Sequence, residues 1–192
     1  MTARIVVLAS GTGTLFEALL DSGVGTSVVG LVSDQPDARA VDIARRREIL
    51  VRTIPLNDFD SRESWEHELF RQVKELNPDL IVAAGFMRIL SPVFVNQFPE
   101  QIVNSHPSLL PQFPGAHAVR DALAAGATIT GCTVHFIDEG VDTGEIISQE
   151  QVDVRPDESE EQLHERIKTV ERTLLPHSVE RLLIERLGKG FQ

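Results

Sequence analysis

Short apolar runs rich in β-branched residues alternate along the chain with longer amphipathic stretches, a pattern typical of βαβ units and a mainly parallel sheet. Four runs in the first half are apolar enough to be strands covered on both faces. They lie at residues 4–9, 27–33, 51–54 and 80–84, and helical spacing separates them at residues 15–22, 40–48 and 62–76. We therefore predict an α/β fold with an open, mainly parallel twisted sheet and helices on both faces.

The second half of the chain predicts three more strands and a long closing helix. The strands are expected at residues 102–105, 129–136 and 146–152, and the helix at residues 159–187. Pro176 lies inside this helix and is expected to kink or interrupt it. Alternation along the middle strand places Cys132 and Val134 on an apolar face and turns His135 away from that face.

Composition and charge narrow the class of protein. A length of 192 residues predicts a single domain over residues 1–192 and disfavours two domains. Because 18 Lys and Arg face 29 Asp and Glu, the net charge is −11, and we expect no nucleic-acid partner. The single cysteine cannot form an intramolecular disulfide, and the first residues lack the apolar stretch of a secretory signal. No apolar run is long enough to cross a bilayer, so we expect a cytoplasmic protein without a membrane partner.

A glycine-containing loop, SGTGTL at residues 10–15, follows the first predicted strand and opens the first predicted helix. Glycines such as Gly13 let backbone N–H groups approach a phosphate at a helix N-terminus. The third glycine of a dinucleotide motif is missing, which favours a single phosphate over a pyrophosphate. Asp34, at the end of the next strand, imitates the ribose-binding acid of a dinucleotide fold. The alternative is a tight strand-to-helix turn without a ligand.

An amide and an imidazole, Asn104 and His106, lie two residues apart at the carboxyl end of a predicted strand, where open α/β sheets bind ligands. On an extended segment both side chains project to the same side. A hydrogen-bond donor and a proton-transfer group would then face one point, which suits a carbonyl that develops negative charge. The alternative is a buried His106 whose ring is satisfied by a backbone carbonyl.

Three further features could take part in a site. In the acidic loop at residues 138–144, Asp142 could hold a histidine ring and favour its charged form, although a solvated turn is the alternative. Residues 85–90 (GFMRIL), which we call the lip, could cover a flat ring ligand, or they could be only the next helix packing down. Glu171 lies on the flank of the apolar stripe of the closing helix and could face the core or a cleft. The sequence contains no Cys/His metal spacing, serine-nucleophile elbow or Walker loop.

Five motifs together resemble the phosphoribosylglycinamide formyltransferases, the folate-dependent enzymes of purine synthesis. They are VVLASGTGTL, AAGFMRILSP, NSHPSLLPQFPG, TGCTVHF and GVDTGEII, and they occur in the order of that family over essentially the whole chain. The resemblance implies transfer of the formyl group of 10-formyltetrahydrofolate to the amine of glycinamide ribonucleotide, without a metal. It further implies that His106 is the catalytic acid and base, that Asn104 holds the formyl oxygen, and that Asp142 supports the charged form of His106.

The same resemblance divides the binding roles along the chain. It implies a ribonucleotide-phosphate half at about residues 1–100 and a folate and catalytic half at about residues 101–192. The residues assigned to the ribonucleotide are Gly13, Thr14, Leu15 and Glu171. The residues assigned to the folate are Arg62, Met87, Arg88, Ile89, Leu90 and Asn104. The resemblance leaves a homodimer open.

One departure and three rival interpretations accompany the resemblance. The phosphate loop of the family usually reads SGxGSN, whereas Thr14 and Leu15 stand here, and Leu15 offers a backbone N–H but no side-chain amide. Formyl-folate hydrolases and methionyl-tRNA formyltransferases share the HPSLLP-type site but carry an additional domain for which 192 residues leave no room. A nucleotide-binding module that uses SGTGTL and Asp34 is the third alternative, and it leaves Asn104, His106 and Asp142 unexplained.

Overall fold

The computed structural model describes residues 3–188, which contain one sheet of seven strands. The strands are β1 (Ile5–Leu8), β2 (Val28–Ser33), β3 (Val51–Thr53), β4 (Leu80–Ala83), β5 (Ile102–His106), β6 (Ile129–Phe136) and β7 (Ile146–Asp153). Their order in the sheet is β3-β2-β1-β4-β5-β6-β7. The pairs β1–β2, β1–β4 and β2–β3 are parallel, and β6–β7 is antiparallel. The prediction of an open, mainly parallel sheet is confirmed.

Six α-helices accompany the strands in the described part of the chain. They are α1 (Thr14–Leu20), α2 (Arg39–Arg46), α3 (Arg62–Glu75), α4 (Pro92–Val95), α5 (Ala118–Ala124) and α6 (Glu160–Gly188). Short 3₁₀ turns occur at Gly25–Ser27 and Leu56–Asp58. Helix α5 was not predicted from the sequence pattern, and it follows directly after the proline-rich stretch at residues 106–117. Between residues 3 and 188, no helix combines the length and apolar character needed to cross a membrane.

The first of two compact units ends at Val103. In this unit β2 and β3 lie on one side of β1, and β4 lies on the other side. Every residue of β1 and β4 is buried, so both faces of these strands are covered as predicted. The edge strand β3 is only partly buried, and the expectation that it is covered on both faces was wrong. Because β2 and β4 flank β1, the loops after β1 and β4 meet at the carboxyl edge, where the Ser10 N–H donates to the Gly85 carbonyl at 3.1 Å.

The second compact unit begins at Asn104 and is built on the packing of α6 against β6 and β7. Its core contains Val119, Cys132, Val152, Leu163 and Ile167, all buried. The buried Leu163 and Ile167 belong to the apolar stripe that the sequence predicts for α6. Helix α6 runs from Glu160 to Gly188 with Pro176 inside it, so this proline does not interrupt the helix, and the expected kink stays a prediction.

Leu163→Ala should lower the free energy of unfolding by about 2–5 kcal/mol, because Leu163 is fully buried and its loss leaves a cavity under α6. The matched control is Ile184→Ala on the same helix, where the side chain is 64% exposed and the change should stay within about 0.5 kcal/mol. Urea unfolding of both variants measures the difference. Equal losses in the two variants would contradict the packing described here.

Candidate active site

The loop between β1 and α1 turns into the helix at Gly13, whose φ is +70°. A Cβ atom at Gly13 would lie 2.7 Å from the Cα of Ala40, so both the backbone conformation and the packing of α2 require glycine. Gly11 is exposed, and a Cβ there would meet nothing within 4 Å. Gly13 is therefore explained by the protein's own packing, and close approach to an anion is not needed to account for it.

Thr14 and Leu15 occupy the first turn of α1, where backbone N–H groups have no intrahelical acceptor. Both residues are half-buried. Arg39 lies beside this turn, donating from Nη1 to the Thr12 carbonyl at 3.1 Å and pairing with Glu17 at 3.3 Å. The loop thus presents free backbone donors near a guanidinium, a combination that suits an anion.

The lip follows β4 and alternates between inward and outward side chains. Met87 is 76% exposed and Ile89 is 66% exposed, whereas Leu90 is buried. The Arg88 Nε donates to Oδ2 of Asp34 at 2.7 Å, and the guanidinium of Arg62 donates to the Ile89 carbonyl. The alternative of a helix packing down describes only one end of the lip, because Leu90 is buried just before α4 begins at Pro92, whereas Met87 and Ile89 are exposed.

Asp34 does not have the geometry of a free ribose-binding acid. Only 3% of the residue is exposed, and its Oδ2 accepts from Arg88 and from the Gln35 side chain. A dinucleotide ribose would need a carboxylate open to the ligand. The structure therefore does not support the nucleotide-module alternative at this residue.

In the second unit, Asn104, His106, His135 and Asp142 form one cluster. The Asp142 carboxylate lies between the two rings: Oδ2 is 3.3 Å from Nδ1 of His106, and Oδ1 is 3.5 Å from Nε2 of His135. The Asn104 Nδ2 is 3.3 Å from that same Nε2 of His135. The structure thus brings together the three residues that the sequence analysis named as catalytic and adds a fourth.

Both ring nitrogens of His106 face acceptors. Its Nε2 is 2.9 Å from the Phe113 carbonyl, and Nδ1 faces Asp142. The backbone-carbonyl contact is the one that the alternative of a structural histidine expects, but that alternative does not account for the carboxylate on the other side of the ring. An imidazolium would satisfy both acceptors, whereas a neutral ring can donate to only one.

Asp142 is held at the end of the acidic loop with a left-handed φ of +55°, a conformation that aspartate tolerates better than most residues. The Gly115 N–H donates to its Oδ2 at 2.7 Å. Burial works to raise the pKa of Asp142, but the hydrogen bonds from His135 and Gly115 and the charges of both imidazoles outweigh it and lower that pKa. The carboxylate is therefore ionised throughout the neutral range, and the alternative of a solvated turn was wrong because its side chain is only 13% exposed.

His135 is the member of the cluster that the sequence analysis missed. Its ring is 1% exposed, and its Nδ1 is 2.8 Å from the Phe136 carbonyl. The Nε2 can donate to Asp142, or it can accept from the Asn104 amide when the ring is neutral, but it cannot do both at once. The available signal was the predicted turn of His135 away from the apolar face, on the strand that feeds the acidic loop.

Glu171 lies inside the second unit with 8% of its surface exposed. The hydroxyl of Ser105, between Asn104 and His106 in sequence, donates to Oε1 of Glu171 at 2.9 Å. Burial raises the pKa of Glu171, although the Ser105 hydrogen bond and the charges of Lys168 and Arg172 oppose the shift. The sequence pattern gives no sign of this role for Ser105, because its partner lies 66 positions further along the chain.

The fold and the cluster define an α/β enzyme whose acid–base groups lie at the carboxyl end of a strand. The sequence from residue 3 to residue 179 matches the formyl transferase model. This chain belongs to the formyl transferase family. Among residues 3–188, no three His, Cys, Asp or Glu side chains are arranged to hold a metal ion.

Several proteins similar to this chain are phosphoribosylglycinamide formyltransferases. The phosphoribosylglycinamide formyltransferase of Mycobacterium tuberculosis is 48% identical over 180 residues, which are 92% of this chain and 83% of the relative. That of Escherichia coli is 39% identical over 177 residues, which are 90% of this chain and 84% of the relative. The crystal structure of the phosphoribosylglycinamide formyltransferase of Bacillus halodurans has a TM-score of 0.91 at 38% identity and covers 98% of this chain and 100% of its own. The resemblance drawn from the motifs is confirmed.

Asp142→Asn should be less stable than the unmodified protein at neutral pH, because the lowered pKa of Asp142 means that folding favours its ionised carboxylate. This contribution is present above the unfolded pKa of an aspartate, about 3.9, and is lost as the pH falls through the lower folded value. The difference in unfolding free energy should therefore shrink in acid. Urea unfolding at neutral pH and at about pH 3 measures it, and Glu145→Gln is the control, since it removes one exposed carboxylate from the same connection between β6 and β7. A difference that is the same at both pH values would show that the charge of Asp142 is not what the cluster stabilises.

Gly13→Ala should cost about 1–3 kcal/mol of unfolding free energy, because the left-handed backbone is strained for alanine and the new Cβ meets Ala40. Gly11→Ala, two residues earlier, should stay within about 0.5 kcal/mol, since space is open there. Thermal or urea unfolding compares the two proteins. If Gly13→Ala is as stable as Gly11→Ala, the packing explanation of Gly13 is wrong.

Proposed function

We propose that this chain transfers the formyl group of 10-formyltetrahydrofolate to the amine of glycinamide ribonucleotide, giving formylglycinamide ribonucleotide and tetrahydrofolate in purine synthesis. The observation that supports this most directly is a carboxylate shared by two imidazoles beside an amide, in a chain of the formyl transferase family. Formyl transfer needs a group that moves a proton and a donor for an oxyanion, and this cluster contains both.

The reaction begins when the neutral amine of the ribonucleotide attacks the formyl carbon. The carbonyl electron pair moves onto the oxygen. When that pair returns to re-form the carbonyl, the bond from the formyl carbon to N10 of the folate breaks, its electron pair stays with N10, and that nitrogen gains a proton. Asn104 is the donor to the oxyanion. Its amide carries two N–H groups, so that one can face His135 while the other remains for the substrate.

His106 carries the proton from the attacking amine to the departing nitrogen, directly or through water. Both of its nitrogens have partners within the protein, so one contact must be exchanged for a contact with the substrate. The Phe113 carbonyl is the partner to be exchanged, because it is neutral and the ionised Asp142 is the stronger acceptor for an imidazolium. Asp142 then keeps the ring oriented and favours its charged form during transfer.

His135 acts on the cluster from the side away from His106. Its Nε2 lies near both the Asp142 carboxylate and the Asn104 amide. A protonated Nε2 donates to Asp142, and an unprotonated Nε2 accepts from Asn104. When the ring is neutral, the Asn104 amide donates to Nε2, which fixes the amide for the oxyanion. We therefore include His135 among the residues of the proposed site.

Binding of the two substrates is divided among the remaining predicted residues. Gly13, Thr14 and Leu15 take the ribonucleotide phosphate through backbone N–H groups, so the absence of a side-chain amide at Leu15 does not prevent the contact. Glu171 takes the ribonucleotide, and Arg62, Met87, Arg88, Ile89 and Leu90 take the folate. No metal takes part in this scheme. A cytoplasmic location and a homodimer remain predictions.

The experiment that tests the proposal follows formyl transfer by purified protein supplied with glycinamide ribonucleotide and 10-formyltetrahydrofolate. We expect formylated ribonucleotide and tetrahydrofolate in equal amounts. A control without the ribonucleotide should leave the folate unchanged. Folate turnover in that control, with no formylated product in the complete mixture, would instead identify a formyl-folate hydrolase.

His106→Ala should reduce turnover by roughly 10²-fold or more, the usual scale for a lost acid–base group, while the protein stays folded. The control is His177→Ala, because His177 is exposed on α6 and should leave turnover unchanged. Steady-state kinetics on both variants, with circular dichroism to verify folding, measures the effect. Turnover close to that of the unmodified protein in a folded His106→Ala variant contradicts the assignment.

A further inference from the structure

We propose that Asp34 is a positioning residue for the formyl donor: through Arg88 it fixes the lip, residues 85–90, so that Met87 and Ile89 face outward to receive the flat ring of the folate. The inference rests on the proposed function, because the ring is that of the folate. It adds a residue to which the binding assignments give no role. It also gives the side chain of Arg88 the role of an anchor, in addition to the folate contact proposed above.

Backbone and side-chain hydrogen bonds hold the lip from two neighbouring elements. The Met87 N–H donates to Oγ of Ser10 at 2.8 Å, which ties the lip to the loop after β1. The guanidinium of Arg62, at the start of α3, donates to the carbonyl of Ile89. The backbone is therefore fixed on both sides of Arg88.

Aromatic and apolar packing holds the side of the lip that faces the protein interior. The ring of Phe86 stacks on Trp65 with centroids 6.5 Å apart and planes 12° apart, and Trp65 is itself buried. Leu90 at the other end of the lip is buried as well. Since Phe86 and Leu90 point inward, the alternate residues Met87 and Ile89 are left facing outward, 76% and 66% exposed.

The ion pair with Asp34 is the anchor at the centre of this segment. The Asp34 side chain is 1% exposed, and its Oδ2 accepts from Nε of Arg88 at 2.7 Å. Within the described residues, the other oxygen, Oδ1, is buried without a hydrogen-bond partner. Such a carboxylate is costly to bury, and pairs of this kind add little to stability compared with apolar packing. What the pair supplies is a fixed direction for Arg88, and so for the residues on either side of it.

Asp34 belongs to the loop after β2, so the pair joins the ends of two strands that flank β1 on opposite sides. Ser10 provides the contact from β1 itself. Three neighbouring strands thus take part in this anchoring, since Asp34 follows β2, Ser10 follows β1 and the lip itself follows β4. Because this segment is already fixed before a ligand arrives, Met87 and Ile89 lose little conformational entropy when the ligand binds.

The test compares Asp34→Ala and Asp34→Asn with Asp37→Ala, which removes an exposed carboxylate from the same loop. In Asp34→Ala we expect the KM for 10-formyltetrahydrofolate and the Kd for tetrahydrofolate to rise about tenfold. The kcat at saturation and the KM for the ribonucleotide should stay within about twofold, because neither depends on the lip in this scheme. Asp34→Asn keeps an acceptor for Arg88 and should give a smaller rise, and Asp37→Ala should give none.

Hydrogen exchange gives a readout that needs no ligand and also serves if Asp34→Ala folds poorly. In Asp34→Asn, as in Asp34→Ala, the Met87 amide should exchange faster than in Asp37→Ala, while amides of β1 and β4 keep their protection. Unchanged exchange at Met87 overturns the inference. Equal rises in both KM values, or a fall in kcat with no change in the folate KM, overturn it too, because they indicate a general structural role.

The outcome separates this inference from the proposed function. Tetrahydrofolate binding is measured by calorimetry and does not require turnover. If the unmodified protein binds tetrahydrofolate but transfers no formyl group, the proposed reaction is wrong, and the Asp34 variants still decide the positioning role. If formyl transfer occurs and Asp34→Ala binds tetrahydrofolate as tightly as Asp37→Ala does, only the positioning role is wrong.

Discussion

An ionised carboxylate that is nearly buried must be surrounded by donors, and in the second unit this requirement is met at Asp142. Burial alone would raise the pKa of Asp142, but two imidazoles and the Gly115 N–H lower it. Each of these partners comes from a different part of the unit: β5 carries His106, β6 carries His135, and the proline-rich stretch carries Gly115. The loop that bears Asp142 must therefore reach the ends of both β5 and β6, and the chemistry of the cluster depends on these contacts.

Two of the side chains that meet at Asp142 lie on strands, which fix their positions in the backbone. His106 is the last residue of β5, and His135 lies one residue before the end of β6, so both rings are fixed by strand geometry. Asp142, the Phe113 carbonyl and the Gly115 N–H come from loops, and the two non-glycine residues among them have a left-handed backbone, with φ of +55° for Asp142 and +54° for Phe113. Non-glycine residues adopt this conformation at a cost, and such strain persists where the surrounding contacts require it. The two strained residues are those that face the two nitrogens of His106.

Local patterns in the sequence were enough to predict the strands, most of the helices and the pair Asn104 and His106, because periodicity and neighbouring residue types carry that information. Contacts between distant residues could not be predicted in this way. Ser105 meets Glu171 across 66 positions, and Arg88 meets Asp34 across 54. Gly13 shows the same limit: glycine after a first strand suggested an anion, whereas the atom that excludes a side chain belongs to Ala40 of the next helix. The alternation along β6 correctly predicted that His135 turns away from the apolar face, but it could not predict the contacts of His135 with Asn104 and Asp142.

The two aspartates bind different kinds of partner, and this difference matches their proposed roles. The Arg88 guanidinium carries only donors, so its contact with Asp34 has one arrangement and serves as geometry. Each nitrogen of an imidazole can donate or accept a hydrogen bond, so the contacts of His106 and His135 with Asp142 have several arrangements. A proton that enters or leaves a ring changes which contacts that ring can make, whereas the contact between Asp34 and Arg88 does not change in this way. A fixed lip and a cluster suited to proton transfer therefore follow from arginine in one place and histidine in the other.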